Sequence, residues 1–158
     1  MGGSSIPKPG EISLAHNGVL FLDELLEFRR SILELLRQPL EDRVVTISRA
    51  QLSLSYPCDI LLVAACNPCL CGFYGDFLTN CSCSPVQIER YWSKLSGPLL
   101  DRVDIHLEVR RLSETELLQT KLSENSASIR NRVVKARNIQ LERFKGIGLV
   151  ANAQMQSK

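Results

Sequence analysis

Two acids stand together at the end of an apolar run, Val19-Leu20-Phe21-Leu22-Asp23-Glu24. A buried strand of this kind delivers adjacent carboxylates to the C-terminal edge of a parallel sheet, where ligands of such folds bind. One of them, Asp23, can hold Mg²⁺ through water. The next, Glu24, can polarise an attacking water as a general base. The same residues also fit a buried strand followed by solvent-exposed acids at a helix start. Asn67 follows a second apolar run, Ile60 to Ala65, where a polar side chain can orient an attacking water. Asn before Pro is equally a common turn element. Arg102, in Leu99-Leu100-Asp101-Arg102, stands ahead of a strand-like segment and can stabilise charge on a neighbour's phosphate. A lone Arg there is otherwise an ordinary surface residue.

Cysteine supplies the other chemistry. Of six cysteines, four are crowded into two pairs, Cys69-x-Cys71 and Cys81-x-Cys83. Four thiolates from two short knuckles can form a closed tetrahedral Zn²⁺ site. Gly72 and Gly75 supply tight turns, and the loop has little else to bury, so a metal would keep it ordered. Cys-x-Cys is less typical of zinc than Cys-x-x-Cys. An iron–sulfur cluster and free or oxidised thiols remain the alternatives. Cys58 and Cys66 read as small core residues at strand ends. His16 and His106 have no partner at ligand spacing and read as structural.

These residues need elements to position them. Val19–Leu22 and Ile60–Ala65 lack alternation, which predicts strands buried on both faces, as in a parallel α/β sheet. Between them, Phe28, Ile32, Leu35 and Leu36 form one helical stripe that Pro39 should end. Residues 44 to 56 predict a hairpin, since Leu52, Leu54 and Tyr56 alternate with Ser53 and Ser55. Glu11 to Leu14 is briefly strand-like. Ser84, Pro85 and Gln87 have the form of a capped helix start. That helix should bury Ile88, Tyr91, Trp92 and Leu95 and close at Gly97-Pro98. Ile105, Leu107 and Val109 alternate with polar residues, which predicts a third strand. Ser113 with Glu116 is another capping box, for a helix to about Glu124. A longer helix is expected from about Ser128 to Phe144, ending at Gly146 and Gly148. The shift to helical pattern near residue 112 divides the chain into 1–112 and 113–158. The basic residues Arg130, Arg132, Lys135, Arg137, Arg143 and Lys145 could contact DNA, but a solvated helix face explains them as well.

Composition bounds the rest. The 158 residues are 44% apolar and 23% charged with a net charge of +2, which disfavours both disorder and a strongly basic nucleic-acid surface. The longest apolar run, Ile60 to Cys66, is too short for a bilayer span of about 20 residues, so no membrane partner is expected. The first 20 residues have no secretory pattern, which predicts a cytoplasmic location.

Order and spacing then make the sequence recognisable. PGEISLAHNGVLFLDELLEF, LRQPLEDRVVTISRA, LVAACNPCLCG and LSGPLLDRVDIHLEV resemble the magnesium-chelatase-like AAA+ ATPases, and within them the bacterial competence-associated ComM/YifB group. The resemblance implies part of a P-loop-type α/β core with an inserted β-hairpin, followed by the start of a helical lid. Asp23 and Glu24 would be the Walker B acids, Asn67 the sensor-1 residue, and Arg102 an arginine finger acting in trans within a ring. Mg²⁺ and ATP would be the cofactors. The full protein would be a hexameric DNA motor, a helicase or branch-migration enzyme of transformation and recombination. Leu25, Cys66 and Leu70 depart from the family's usual Pro, Met and Pro, and none removes a catalytic group.

No Gly-x-x-x-x-Gly-Lys-Ser/Thr occurs in the chain. The family carries that phosphate loop upstream of the matching segment, so this chain is expected to be a middle slice of the motor and a poor ATPase alone. Two other readings remain open. One is the ATPase subunit of magnesium chelatase, which generally lacks the cysteine loop. The other is a non-enzymatic zinc-binding interaction module.

Overall fold

The computed structural model describes residues 8–49, 52–118 and 123–155. The chain divides into two compact units, Met1–Arg111 and Leu112–Lys158. The first is mixed α/β. Its short first helix, α1 (Glu11–Leu14), stands where a strand was expected: Leu14 N–H bonds Gly10 O at 3.0 Å and Ala15 N–H bonds Glu11 O at 3.0 Å. This single turn lets Ile12 pack on the core.

The two apolar runs form strands β1 (Val19–Leu22) and β4 (Leu61–Ala64). They pair in parallel, with Val19 opposite Leu61 and Leu22 opposite Ala64. Only one face is covered. Leu20 is buried and Leu22 and Leu62 pack beside it, whereas Val19, Phe21, Leu61 and Val63 are exposed. The expectation of burial on both faces is corrected accordingly. His16 and Asn17 lock the start of the pair, because His16 Nδ1 accepts the Asp59 N–H at 3.1 Å and Asn17 N–H donates to Asp59 O at 2.7 Å.

Between these strands the expected single helix is broken into three pieces. A 3₁₀ turn (Leu25–Glu27) precedes α2 (Arg30–Glu34) and α3 (Arg37–Asp42). Pro39 does not end a helix but sits in the first turn of α3, where the missing N–H has no intrahelical partner in any case. The break rotates the buried face: Leu33 and Leu36 are buried, while Ile32 and Leu35 are exposed.

The predicted hairpin is present as β2 (Val44–Arg49) and β3 (Leu52–Pro57), antiparallel with Thr46 opposite Ser55 and Ser48 opposite Ser53. Those hydroxyls meet at 3.0 Å in each pair, a polar ladder on the exposed face.

Helix α4 (Pro85–Trp92) opens as expected. Ser84 accepts the Gln87 N–H and Gln87 Oε1 accepts the Ser84 N–H at 2.8 Å, completing a capping box. Tyr91 and Leu95 are buried, but Trp92 remains 39% exposed. Gly97-Pro98 does not close this helix. It opens α5 (Gly97–Leu100), because Ser96 caps it and Pro98 suits a first turn. The third predicted strand is absent among the described residues: 103–113 pairs with no strand, and Ile105, Leu107 and Val109 are exposed. Alternation marks a strand only where another strand offers it backbone partners.

The core of the first unit joins Leu20, Leu25, Leu26, Leu33, Leu36, Tyr91, Leu95 and Leu99. Leu33 is 1% exposed. Leu33→Ala is expected to lower stability by about 2–5 kcal/mol, read as a fall in the urea midpoint at unchanged slope.

The second unit holds α6 (Glu114–Leu117) and α7 (Ser126–Arg143). The Ser113 capping box forms, with Glu116 Oε2 accepting the Ser113 N–H at 2.8 Å. The stretch 119–122, which that helix was expected to cross, lies outside the described residues. Asn125 caps α7 through the Ser128 N–H at 2.8 Å. Gly146 and Gly148 follow it with φ of 80° and 77°, the left-handed values that favour glycine after a helix. Among the described residues of this unit only Phe144 is buried. No described helix is long and apolar enough to cross a membrane.

Candidate functional site

The end of β1 is stitched to the end of β4 beyond the strands themselves. Ala65 N–H donates to Leu22 O and Leu25 N–H donates to Ala65 O, both at 2.9 Å. Asp23 and Glu24 sit inside this stitch, at the C-terminal edge of the parallel pair. Both are exposed. The Asp23 Oδ1 accepts the Glu24 N–H at 2.9 Å. Glu24 is in the left-handed region, at φ 49° and ψ 44°. That conformation costs a non-glycine residue about 1 kcal/mol. It turns the chain so that Leu25 and Leu26 plug the core while the two carboxylates remain outside.

A shallow concavity of about 210 Å³ is lined by Asp23, Glu24, Glu27 and Phe28. Glu27 is a third carboxylate that pattern reading missed. It stands beside Tyr91 of α4, whose phenol is pushed up to about 12 by burial and then by the Glu27 charge. Lys94 donates from Nζ to Leu26 O and lies 5.6 Å from the Tyr91 ring centre. The end of α4 therefore braces the turn that carries the acids.

Asn67 is exposed two residues beyond Ala65, so it leaves the sheet at the same edge as Asp23. The next carbonyl, of Pro68, accepts the Trp92 Nε1–H at 2.9 Å. Arg102 lies just past α5. Its guanidinium donates to Glu41 Oε2 at 2.6 Å, and among the described residues its ion pair is to Glu41 and not to either acid of β1. Such an exposed pair is worth about 0–1 kcal/mol and yields readily to a better anion.

The four loop cysteines converge. Their sulfurs all lie within 4.8 Å of one another. Cys69 Sγ is 3.4 Å from Cys71 Sγ and 3.6 Å from Cys81 Sγ, and Cys71 Sγ is 3.5 Å from Cys81 Sγ. A tetrahedron with Zn–S of about 2.3 Å has edges of about 3.8 Å, so the cluster is close to the size zinc needs. No disulfide forms among them, and all four are free thiols. Cys69 is buried and the other three are half-buried. Gly72 and Gly75 both have φ of 82°, the turn positions expected of them. The Cys71 thiol is lowered to about 5 by backbone N–H groups, first that of Phe73 and then that of Ser82. Cys81 accepts the Cys83 N–H, which favours its thiolate, but burial and the Cys71 and Cys69 sulfurs outweigh this and push it up to about 12. Leu70, Tyr74, Phe77 and Leu78 of the loop are all exposed. The loop thus has a sulfur cluster in place of an apolar core.

The other two cysteines differ from one another. Cys58 is buried as expected, its thiol donating to Pro39 O at 3.6 Å. Cys66 is exposed, which corrects the expectation of a core residue, because the face of the sheet edge it follows is uncovered.

Residues 1–117 match the sequence profile of the family described as magnesium chelatase, subunit ChlI. The chain belongs to the magnesium chelatase ChlI family. The resemblance read from its sequence is thereby upheld. Within this ChlI-type group it is 50% identical, over 100% of its own length, to the competence protein ComM of Haemophilus influenzae. It is 46% identical over 90% of its length to the uncharacterized protein YifB of Escherichia coli. The YifB protein of Salmonella typhimurium is 42% identical over 100% of the chain. The ChlI-family chain spans only 30% of the length of that ComM protein and 28% of the Escherichia coli YifB protein.

Proposed function

We propose that this chain is the hydrolytic part of a Mg²⁺-dependent AAA+ ATPase of the ComM type. In this reading residues 1–112 are the second half of the ATPase core and residues 113–158 begin the helical lid. Asp23 would hold Mg²⁺ through water, and the ion would neutralise charge on the ATP phosphates. Glu24 takes the proton of the attacking water and Asn67 orients that water. Arg102 leaves Glu41 and reaches the site of the adjacent subunit in a ring. The four cysteines would hold Zn²⁺ as a structural ion. The full-length protein acts on DNA as a helicase or branch-migration motor in the cytoplasm.

The observation that carries the reading is the joint exit of β1 and β4. Asp23-Glu24 and Asn67 leave the same edge of a parallel pair, within three residues of its last backbone bonds. Ligands of α/β folds bind at that edge. The sulfur cluster favours the ComM-type motor over the chelatase subunit, and the 50% identity to ComM points the same way.

The reading is tested by calorimetry with Mg·ATP. The 158-residue chain is expected to show no binding up to millimolar nucleotide, since no Gly-x-x-x-x-Gly-Lys-Ser/Thr phosphate-loop motif occurs in its sequence. The full-length protein is expected to bind in the micromolar range. Micromolar binding by the chain alone would overturn the assignment of phosphate binding to a segment outside it.

A further inference from the structure

We propose that a divalent metal held by Cys69, Cys71, Cys81 and Cys83 is a clamp that sets the position of Asn67 by fixing the end of β4 to α4. The proposal rests on the zinc reading above and adds a mechanical consequence to it.

Two covalent neighbourhoods and one hydrogen bond make the circuit. Cys69 lies two residues beyond Asn67. Cys83 immediately precedes Ser84, the N-cap of α4. The far end of α4 then turns back on the starting point, because Trp92 Nε1–H donates to Pro68 O at 2.9 Å. Pro68 is the residue between Asn67 and Cys69. The segment that follows Asn67 is thus gripped by Trp92 at the Pro68 carbonyl and by the sulfur cluster at Cys69.

The grip has a weak link without metal. The sulfur contacts of 3.4–3.6 Å are those of thiols, which are poor hydrogen-bond donors. The loop between the two cysteine pairs exposes Tyr74, Phe77 and Leu78, leaves Phe73 half-buried, and adds no buried core of its own. Four metal–sulfur bonds would replace those contacts with a fixed tetrahedral joint. The effect reaches past Asn67. Lys94, just beyond Trp92, donates to Leu26 O in the turn that carries Asp23 and Glu24. The end of α4 and the turn after it, Trp92 to Lys94, therefore brace both exits of the parallel pair, and the metal would fix the helix start.

The single tryptophan of the chain is the built-in reporter. Metal-free protein kept under reducing conditions is titrated with Zn²⁺ and, in parallel, with Co²⁺. One ion is expected per chain, with sulfur-to-cobalt charge-transfer absorption and a shift of Trp92 emission that ends at the same equivalence. Amide exchange in a peptide covering 65–72 is expected to slow about tenfold or more, while a hairpin peptide covering 44–57 stays unchanged. Trp92→Phe should keep the stoichiometry and lose most of the protection at 65–72. Binding of one ion without protection of 65–72 would overturn the clamp and leave the zinc reading standing. No binding at all would end both. Protection spread equally over the hairpin would show metal-coupled folding of the whole unit, and so would also overturn a local clamp.

Discussion

Replacing Arg102 with Ala in the full-length protein is expected to lower the ATP hydrolysis rate by about 10³–10⁵-fold while changing nucleotide affinity little. The basis is the position of its guanidinium. Arg102 is turned toward Glu41 and stays about one-third exposed, held by one ion pair of 2.6 Å. A surface pair of that kind is worth about 0–1 kcal/mol, so it cannot hold the side chain against a developing phosphate charge. The arginine is expected to act in trans, and mixing subunits decides this. Arg102→Ala and Glu24→Gln subunits are each expected to be nearly inactive alone. Mixed rings contain interfaces with one intact Glu24 and one intact Arg102 from the neighbour, so activity should return. A mixture as dead as its components would place both groups in one subunit's site and overturn the trans assignment.

Glu24→Gln alone is expected to cost about 10²–10⁴-fold in hydrolysis, with ATP binding and ring assembly kept. The amide keeps the size and a hydrogen-bonding oxygen but cannot take a proton from water. Glu24→Gly is the informative companion. It removes the carboxylate and also relieves the left-handed backbone at φ 49°. Its expected signature is the same loss of hydrolysis combined with a gain in stability of about 1 kcal/mol. A Glu24→Gly protein that loses stability would show that the side chain supports the turn. A Glu24→Gln protein with normal turnover would remove Glu24 from the chemistry.

The parts of this fold that were legible in the sequence are those whose cause is local. The serine caps at Ser84 and Ser113 announced their helices, because the cap and its return bond span only four residues. The alternation of 52–56 announced the hairpin. The uninterrupted runs at 19–22 and 60–65 announced the strands. What the sequence hid depends on distant partners. Leu33 rather than Leu35 is buried because α2 and α3 are separate turns with different facings. Ile105, Leu107 and Val109 alternate like a strand yet meet no strand among the described residues. Asp23, Glu24 and Asn67 are singled out by type and place, and they leave the same edge of the parallel pair, whereas Arg102 pairs with Glu41. Glu27, Tyr91, Trp92 and Lys94 are not singled out for the site, since only the packing of α4 brings them to the acid turn and to Pro68. A period-3.6 pattern marks Tyr91 and Leu95 as inward-facing, but it does not say which carbonyl Trp92 will find.

The hairpin between the two parallel strands carries a consequence for the order in which the molecule assembles. Pairing Val19 with Leu61 requires the chain to close a long loop, and such non-local parallel contacts form slowly. The hairpin closes within itself, from Val44 opposite Pro57 outward to the Cys58 N–H on Arg43 O at 2.9 Å. Hairpins of this size form in about 1–10 μs. Once it has formed, Asp59 is carried close behind Arg43, and the loop left to close is shorter by the whole hairpin. Closure entropy falls with the logarithm of that length. A segment that contributes little to the core thereby acts as a folding splint, drawing together the strand ends that precede Asp23 and Asn67 before their own contacts could hold them.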